Sequence, residues 1–580
     1  MEHLLEEFAP VSTAEWEAAI ARDLKGADYA KRLIWRSEEG LAVKPYYRAE
    51  DLKDLAYLDA EPGASPYRRG TRATGDWLIR EEIEAEDAET ANREACAAVA
   101  GGAEGIAFSG VLVESDADLS VLLRNLEEIP IHFERADEKL VRLLSERLGA
   151  ARSVARVSTG CDALANVGFA AEVIGKAPDG FVPFTVRGDR FEEAGATAAE
   201  EIGFSLAAGV DFLGAMQERD VETGRAAAAL EFSFAIGANY FFQIAKLRAL
   251  RMAWARAAES YGGSRSEGRA QIAARTSRWN KTLYDPHVNI LRATTEAMAA
   301  VLGGADSVTV ASFDACYRRP DEASRRLARN TQLLLKHEAE MARVADAAGG
   351  SYFVEAITDF LAREGWKIMQ GIEAQGGYRQ ALADGAIEAA LERSMAAREK
   401  AVTLRRRIFV GTNQFANPAE QALSRCEAGR ICETRRGTRT YEELRLRTER
   451  HPAAGGVTPR VLLAEFGDVK MRAARSHFAA NFFACVGFET VTRRFRKAAE
   501  IATAEGELIV LCSADTEYAA IVAELMPKMK AVRRSTPVIV AGNPEDAGVL
   551  AGAGIADFVH VRSNPVEVLT KWQERLGIKN

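Results

Sequence analysis

Residues 321–355 read DEASRRLARNTQLLLKHEAEMARVADAAGGSYFVE, and the fold turns on how this stretch is read. Pro320 is followed by Asp321 and Glu322, acids that cap and charge a helix N-terminus. Leu327, Thr331, Leu334, Met341 and Ala345 recur at steps that share one helical face, which predicts a buried helix of an α/β protein. Gly349 and Gly350 are expected to stop it, and SYFV at 351–354 to open a new element.

On the N-terminal side, short β-rich runs alternate with helical stretches. Candidate strands are WLIREEI (77–83), GIAFSG (105–110), IPIHFE (129–134) and SVARVST (153–159). FVPFTVRG (181–188), ALEFSFAIG (229–237), QIAARTS (271–277) and SVTVASF (307–313) continue the series. Strand–helix alternation of this kind between 77 and about 346 predicts a (β/α)8 TIM barrel, with an open doubly wound sheet as the structural alternative. The helix expected at 239–254 offers Phe242, Ile244, Ala245, Leu247 and Met252 among polar residues, the pattern of an outer-ring helix. Residues 1–60 read as an arm with one helix, capped by Ser12 or Thr13 and lined by Trp16, Ala19, Ile20 and Leu24. Such an arm must pack on its own barrel or on another subunit.

On the C-terminal side, residues 356 to about 448 read as helical and increasingly basic, through Arg405, Arg406 and Arg407 and the run 433–450. A solvated helix face or an interdomain linker is expected there. Turn-rich HPAAGGVTP (451–459) leads into a second α/β unit. Its strands are PRVLLAEFG (459–467), FETVTRRF (488–495), LIVLCSA (508–514), TPVIVAG (536–542) and ADFVHV (556–561). Helices are expected at 470–486, 494–504, 516–532 and 566–577, which predicts a small parallel sheet of flavodoxin type.

Bulk properties narrow the function. A chain of 580 residues exceeds one core, and 48% hydrophobic with 27% charged residues describes an ordinary globular protein. The net charge of −9 is spread along the chain, so nucleic acid is not an expected partner. No apolar run is long enough to span a membrane, and MEHLLEEFAP lacks the basic-then-apolar order of an export signal. Cys96, Cys161, Cys316, Cys426, Cys432, Cys485 and Cys512 form no C-x-x-C pair, so reduced thiols, a cytoplasmic location and no zinc site are expected. The G-x-x-x-x-G-K-[ST], H-E-x-x-H and G-x-S-x-G motifs are all absent.

The order RLARNTQLLL, a glutamate, then GGSY resembles the signature of the methylmalonyl-CoA mutase family, the adenosylcobalamin-dependent acyl-CoA isomerases. One departure is Asp346-Ala347, where the family has Asp-Pro. KPYYRAEDL (44–52), PGASPYRRG (62–70), residues 192–213, residues 234–254 and TTEAMAAVLGG (294–304) are similar to the same family, the first particularly to its small subunits. The resemblance implies an arm (1–60), a closed (β/α)8 TIM barrel of acyl-CoA mutase type (61–380) and a helical linker (381–457). A degenerate, flavodoxin-like doubly wound domain of cobalamin-binding type (458–580) then completes the chain.

The family's chemistry-bearing positions are altered. Its Asp-x-His-x-x-Gly motif supplies the imidazole that coordinates cobalt, and Lys470, Arg472 and Arg475 stand at the three motif places. His477 lies two residues further on, and is expected to be a solvated or packed histidine. The family's Ser-x-Leu turn is Ser513-Ala514-Asp515, and its Gly-Gly near the nucleotide tail is Ala541-Gly542. In the barrel, Glu82 stands where the family's substrate-contacting tyrosine sits, and Arg190 where its histidine near the thioester sits. The segment between the fourth and fifth strands is too short for the family's substrate-binding arginine. Glu82 and Arg190 are expected to pair and fill the barrel mouth. No catalytic, cofactor-binding or metal residue is therefore assigned to this chain.

This combination resembles the small, non-catalytic subunit of the heterodimeric enzymes. It implies a catalytic large subunit as partner, with adenosylcobalamin expected on that chain and the interconversion of methylmalonyl-CoA and succinyl-CoA performed there. The holoenzyme would be an isomerase of propionate metabolism. Two other readings stay open at this point: an active cobalamin-dependent acyl-CoA isomerase with altered cofactor binding, and a stand-alone binding or regulatory protein derived from the mutase fold.

Overall fold

The computed structural model describes residues 9–150, 156–427, 435–532 and 535–579. In the arm, helix α1 (Thr13–Asp23) starts at a capping box, in which Ser12 and Glu15 each accept from the other's backbone N–H. No residue of α1 is buried, and Trp16 stacks on Tyr46 with ring centroids 5.0 Å apart. Trp35 packs edge-on against Phe242 at 5.7 Å, so part of the arm docks on its own barrel.

The β-rich runs become parallel strands that close on themselves. They are β1 (Leu78–Glu84), β2 (Gly105–Ser109), β3 (Ile131–Phe133), β4 (Val157–Cys161), β5 (Phe181–Arg187), β6 (Leu230–Ile236), β7 (Gln271–Thr276) and β8 (Ser307–Thr309). Each pairs with its neighbours in the chain, and β8 returns to β1 through Thr309 opposite Arg80, giving the closed barrel that the strand pattern predicts. Positions 153–155 of the fourth predicted strand lie outside the described residues.

The helical shell departs from the pattern in two places. Helix α2 (Ala198–Gln217) and helix α3 (Tyr240–Ser260) are buried nearly all round, including Lys246, Arg248 and Arg251 of α3. Helix α4 (Glu322–Leu333) begins where Asp321 accepts from the Ser324 N–H at 2.8 Å. It then widens into a π turn at Leu334–Glu338 and ends before the glycines predicted to stop it. The predicted buried face is also reversed: Leu327 and Leu334 are 45% and 47% exposed. The reason is electrostatic, because α4 turns Arg325 and Arg329 inward onto Glu94 and Glu81.

Ser351 caps helix α5 (Tyr352–Glu373), which covers both α2 and α3 and explains why α3, a helix of the ring around the barrel as expected, is buried nearly all round. The approach of α5 to α2 is backbone-close: a Cβ on Gly203 would lie 2.5 Å from Ile368, and one on Gly365 would lie 2.4 Å from Ile202.

In the linker, helix α6 (Ala386–Thr403) and helix α7 (Arg439–Ala453) bury much of the basic run. Arg436 pairs with Glu442 at 2.7 Å, and Arg398 and Arg407 lie over the Trp279 ring at 4.2 and 4.5 Å. The solvated face expected there is therefore largely an interior one.

The second unit holds β9 (Arg460–Glu465), β10 (Glu489–Arg494), β11 (Leu508–Cys512), β12 (Val538–Ala541) and β13 (Phe558–Val559), in the spatial order β10-β9-β11-β12-β13 and all parallel. Helix α8 (Val469–Ala484) and helix α10 (Pro565–Arg575) pack on one face, with helix α9 (Tyr518–Val532) on the other. The helix expected at 494–504 is a 3₁₀ segment at Ala498–Thr503, and a short helix at Ala547–Ala553 was not anticipated.

Candidate functional site

Barrels of this kind work at the C-terminal ends of their strands, and doubly wound sheets at the crevice where strand order reverses. Both places are lined by charged side chains that pair with one another.

In the barrel, an interior of charged residues replaces the usual apolar layers. Glu231 of β6 accepts from Arg156 at 2.7 Å, and its other oxygen lies 3.7 Å from Arg80 of β1. Arg187 of β5 grips Asp189 through two donors at 2.8 and 2.7 Å. Arg275 of β7 reaches Glu82 at 2.7 Å, Glu134 at 3.1 Å and Asp189 at 3.6 Å. Arg80, His132, Asp189, Glu231 and Arg275 are all buried.

The partner of Glu82 is thus Arg275, not Arg190. Arg190 is exposed on the helical turn Gly188–Glu193, which directs Asp189 inward and Arg190 outward. It lines a separate cavity of about 150 Å³ with Phe191, Phe212 and Tyr378.

Burial alone would raise the carboxyls of Glu134, Asp189 and Glu231. Arg275 overrides it at Glu134, Arg187 at Asp189, and Arg80 with Arg156 at Glu231, and all three stay below the ordinary carboxylate range. His132 moves the other way for a base: burial first, then Arg80, pushes it down from 6.5 to about 4, so its ring is neutral beside Ser158 at 2.8 Å.

His132 gives a pH prediction. An unfolded chain protonates this imidazole below 6.5, whereas the folded chain does so only near 4. Its contribution to stability is complete above 6.5 and is lost as pH falls toward 4. Between about pH 7 and about pH 4.5 this amounts to about 2 kcal/mol. Urea unfolding at the two pH values measures it, and His132→Asn should remove that part of the slope.

In the second unit, β9 ends at Glu465 and Asp468 already caps α8, accepting from the Met471 N–H at 2.8 Å. Lys470, Arg472 and Arg475 therefore lie on the first turns of a helix rather than in a loop. Arg472 donates to the Gly467 carbonyl at 2.8 Å. Arg475 donates to both oxygens of Asp515, at 3.0 and 3.1 Å, across the point between β9 and β11 where strand order reverses.

Deeper in the crevice, Tyr518 is fully buried. Its hydroxyl donates to the Ala541 carbonyl at 2.8 Å and accepts from the Ser513 N–H at 3.0 Å. Gly467 takes φ +71, and a Cβ there would lie 2.1 Å from the Glu517 carboxylate. A Cβ on Gly542 would lie 2.7 Å from Asp515. His477 stands exposed on α8 and borders a cavity of about 410 Å³ with Arg405 and His560.

Sequence reading missed the interior network and the Tyr518 plug. The signal for the network was present: IPIHFE, ALEFSFAIG and QIAARTS each carry a charged or imidazole side chain inside an apolar strand. Among the described residues, no group of three or more His, Cys, Asp or Glu is placed to hold a metal, and no helix is long and apolar enough to cross a membrane.

Comparison with known proteins adds a family. The family profile described as methylmalonyl-CoA mutase matches residues 36–112 and 165–455. The methylmalonyl-CoA mutase small subunit of Porphyromonas gingivalis is 35% identical over 100% of this chain and 99% of its own length. That of Streptomyces virginiae is 33% identical over 99% of this chain and 98% of its own. The Streptomyces virginiae large subunit is 28% identical over 76% of this chain and 67% of its own length. Similarity to these small subunits runs from end to end, whereas similarity to the large one covers about three quarters of the chain.

Proposed function

The chain belongs to the methylmalonyl-CoA mutase family, and from that premise we propose that it is the non-catalytic small subunit of a heterodimeric mutase. It pairs with and stabilises a catalytic large subunit, which interconverts methylmalonyl-CoA and succinyl-CoA in the cytoplasm with adenosylcobalamin. In this reading the chain divides into a contact arm (1–60), a barrel (61–380), a helical linker (381–457) and a domain of cobalamin-binding descent (458–580).

One observation carries the proposal: the crevice of the second unit is bridged by Arg475 and Asp515 and plugged by Tyr518. A histidine-ligated corrin needs an imidazole in the loop after the first strand and an open crevice beside it. Basic residues on a helix, with Arg475 paired to Asp515 across the crevice, do not fit a histidine-ligated group, so no step of the rearrangement is assigned to this chain. The barrel supports the same reading, because paired charged side chains take up its interior.

An absorption titration with adenosylcobalamin tests the proposal. The purified chain should give no saturable spectral change, and its complex with a large subunit carrying an intact Asp-x-His-x-x-Gly motif should bind one corrin per pair. Turnover should require that complex. Stoichiometric corrin binding by this chain alone would refute the assignment.

A further inference from the structure

Strand β8 ends at Thr309 while β1 continues to Glu84, and a cavity of about 120 Å³ opens in the barrel wall at that step. It lies between the loops that follow β7 and β8 and the inner side of α4, with Arg80, Glu82, Arg278, Ser312 and Gln332 among its walls. The volume is well above the ~15 Å³ that one water needs.

Most charges around the cavity are committed. Lys281 is held by Glu296 at 2.6 Å, Arg329 holds Glu81 at 2.5 Å, and Arg275 holds Glu82 at 2.7 Å. Two guanidiniums are not. The Arg80 side chain is only 7% exposed, and its one ion contact, to Glu231, spans 3.7 Å. Arg278 contacts Glu82 and Glu193, both at 3.7 Å, beyond hydrogen-bonding length. Neither side chain donates a hydrogen bond to any described residue. With no protein acceptor in reach, their donors are left to water or to a bound anion.

We propose that this cavity binds a small phosphate-class oxyanion, as free phosphate or as the terminal group of a phosphomonoester, between Arg80 and Arg278. The loops after the seventh and eighth strands are where TIM barrels commonly hold phosphate. A carboxylate has two oxygens and satisfies one fork, whereas a tetrahedral phosphate presents acceptors to both. The charged interior beneath confines the ligand to the wall. The site belongs to this chain alone and does not depend on the subunit assignment.

Thermal melts of the full chain at constant ionic strength test the proposal, with chloride replaced by inorganic phosphate, glycerol 3-phosphate or acetate. Either phosphate compound should raise Tm saturably in the millimolar range or below, with acetate weaker by about tenfold or more. Preference for glycerol phosphate identifies a phosphomonoester site, and equal binding identifies a free-phosphate site. Arg278→Gln should weaken phosphate by about tenfold or more, with Arg278→Lys in between. Arg278 is partly exposed, so the Tm without phosphate should hold in Arg278→Gln. If that variant melts lower, Arg278→Lys carries the comparison. No saturable shift, an unchanged affinity in both variants, or acetate binding as tightly as phosphate would overturn the site.

Discussion

Arg275→Met should lower the free energy of unfolding by about 3–5 kcal/mol near neutral pH. Methionine keeps much of the volume, so the cost reports charge rather than a void. Arg275 alone spans Glu82, Glu134 and Asp189, and it is the main influence that keeps the Glu134 carboxyl ionised against burial. Without it, Arg187 remains as the close partner of Glu134 and Asp189, and Glu82 keeps only Arg278 at 3.7 Å. The variant should respond by protonating a carboxyl, so its deficit should shrink as pH falls toward the carboxylate range. Urea unfolding of both proteins at about pH 7 and about pH 5 measures the gap. A gap below about 1 kcal/mol at the higher pH would mean that the interior charges do not hold the barrel.

Glu355→Ala should cost a similar amount, about 3–5 kcal/mol, for a different reason. Glu355 accepts from Arg68 at 2.7 Å, from Arg248 at 2.8 Å and from the Gly350 N–H at 3.0 Å, and none of the three charged side chains is exposed. Removing it leaves buried Arg68 without a carboxylate partner, while Asp346 alone is left to hold Arg248 and Arg69. Because Arg68 ties the segment that ends the arm to α3 and α5, the segment should loosen. Trypsin should then cut near Arg69 or Arg72 earlier in the variant than in the parent. Glu355→Gln preserves the shape and should be milder. Unchanged proteolysis together with unchanged stability would show that the cluster is incidental.

The Glu355 cluster also gives the 321–355 signature a physical meaning. Gly350, at φ +82, presents its N–H to Glu355, and Ser351 caps the helix that carries it. Asp346 binds Arg69 and Arg248 although Ala347 follows it in place of proline. The motif is therefore an anchor between arm and barrel.

That the chain holds no Asp-x-His-x-x-Gly run was readable because a motif's absence needs only residue types at fixed spacing. The pairing of Glu82 with Arg190 was misread because spacing along the chain does not set direction: a single turn of helix at Gly188–Glu193 sends neighbouring side chains to opposite sides. The apolar stripe of α4 was misread because its inner surface meets carboxylates, and ion pairing outweighed the hydrophobic period there.

The sequence by itself determined the order of strands and helices, the two parallel α/β units and the absence of an Asp-x-His-x-x-Gly run. Those features follow from periods of two and 3.6 residues and from local caps, which act over one or two turns. Only the tertiary structure decided which charges meet. Arg275 and Glu82 stand 193 residues apart and Arg68 and Glu355 287 apart, so their pairing exists only once the barrel has closed and excluded water from between them.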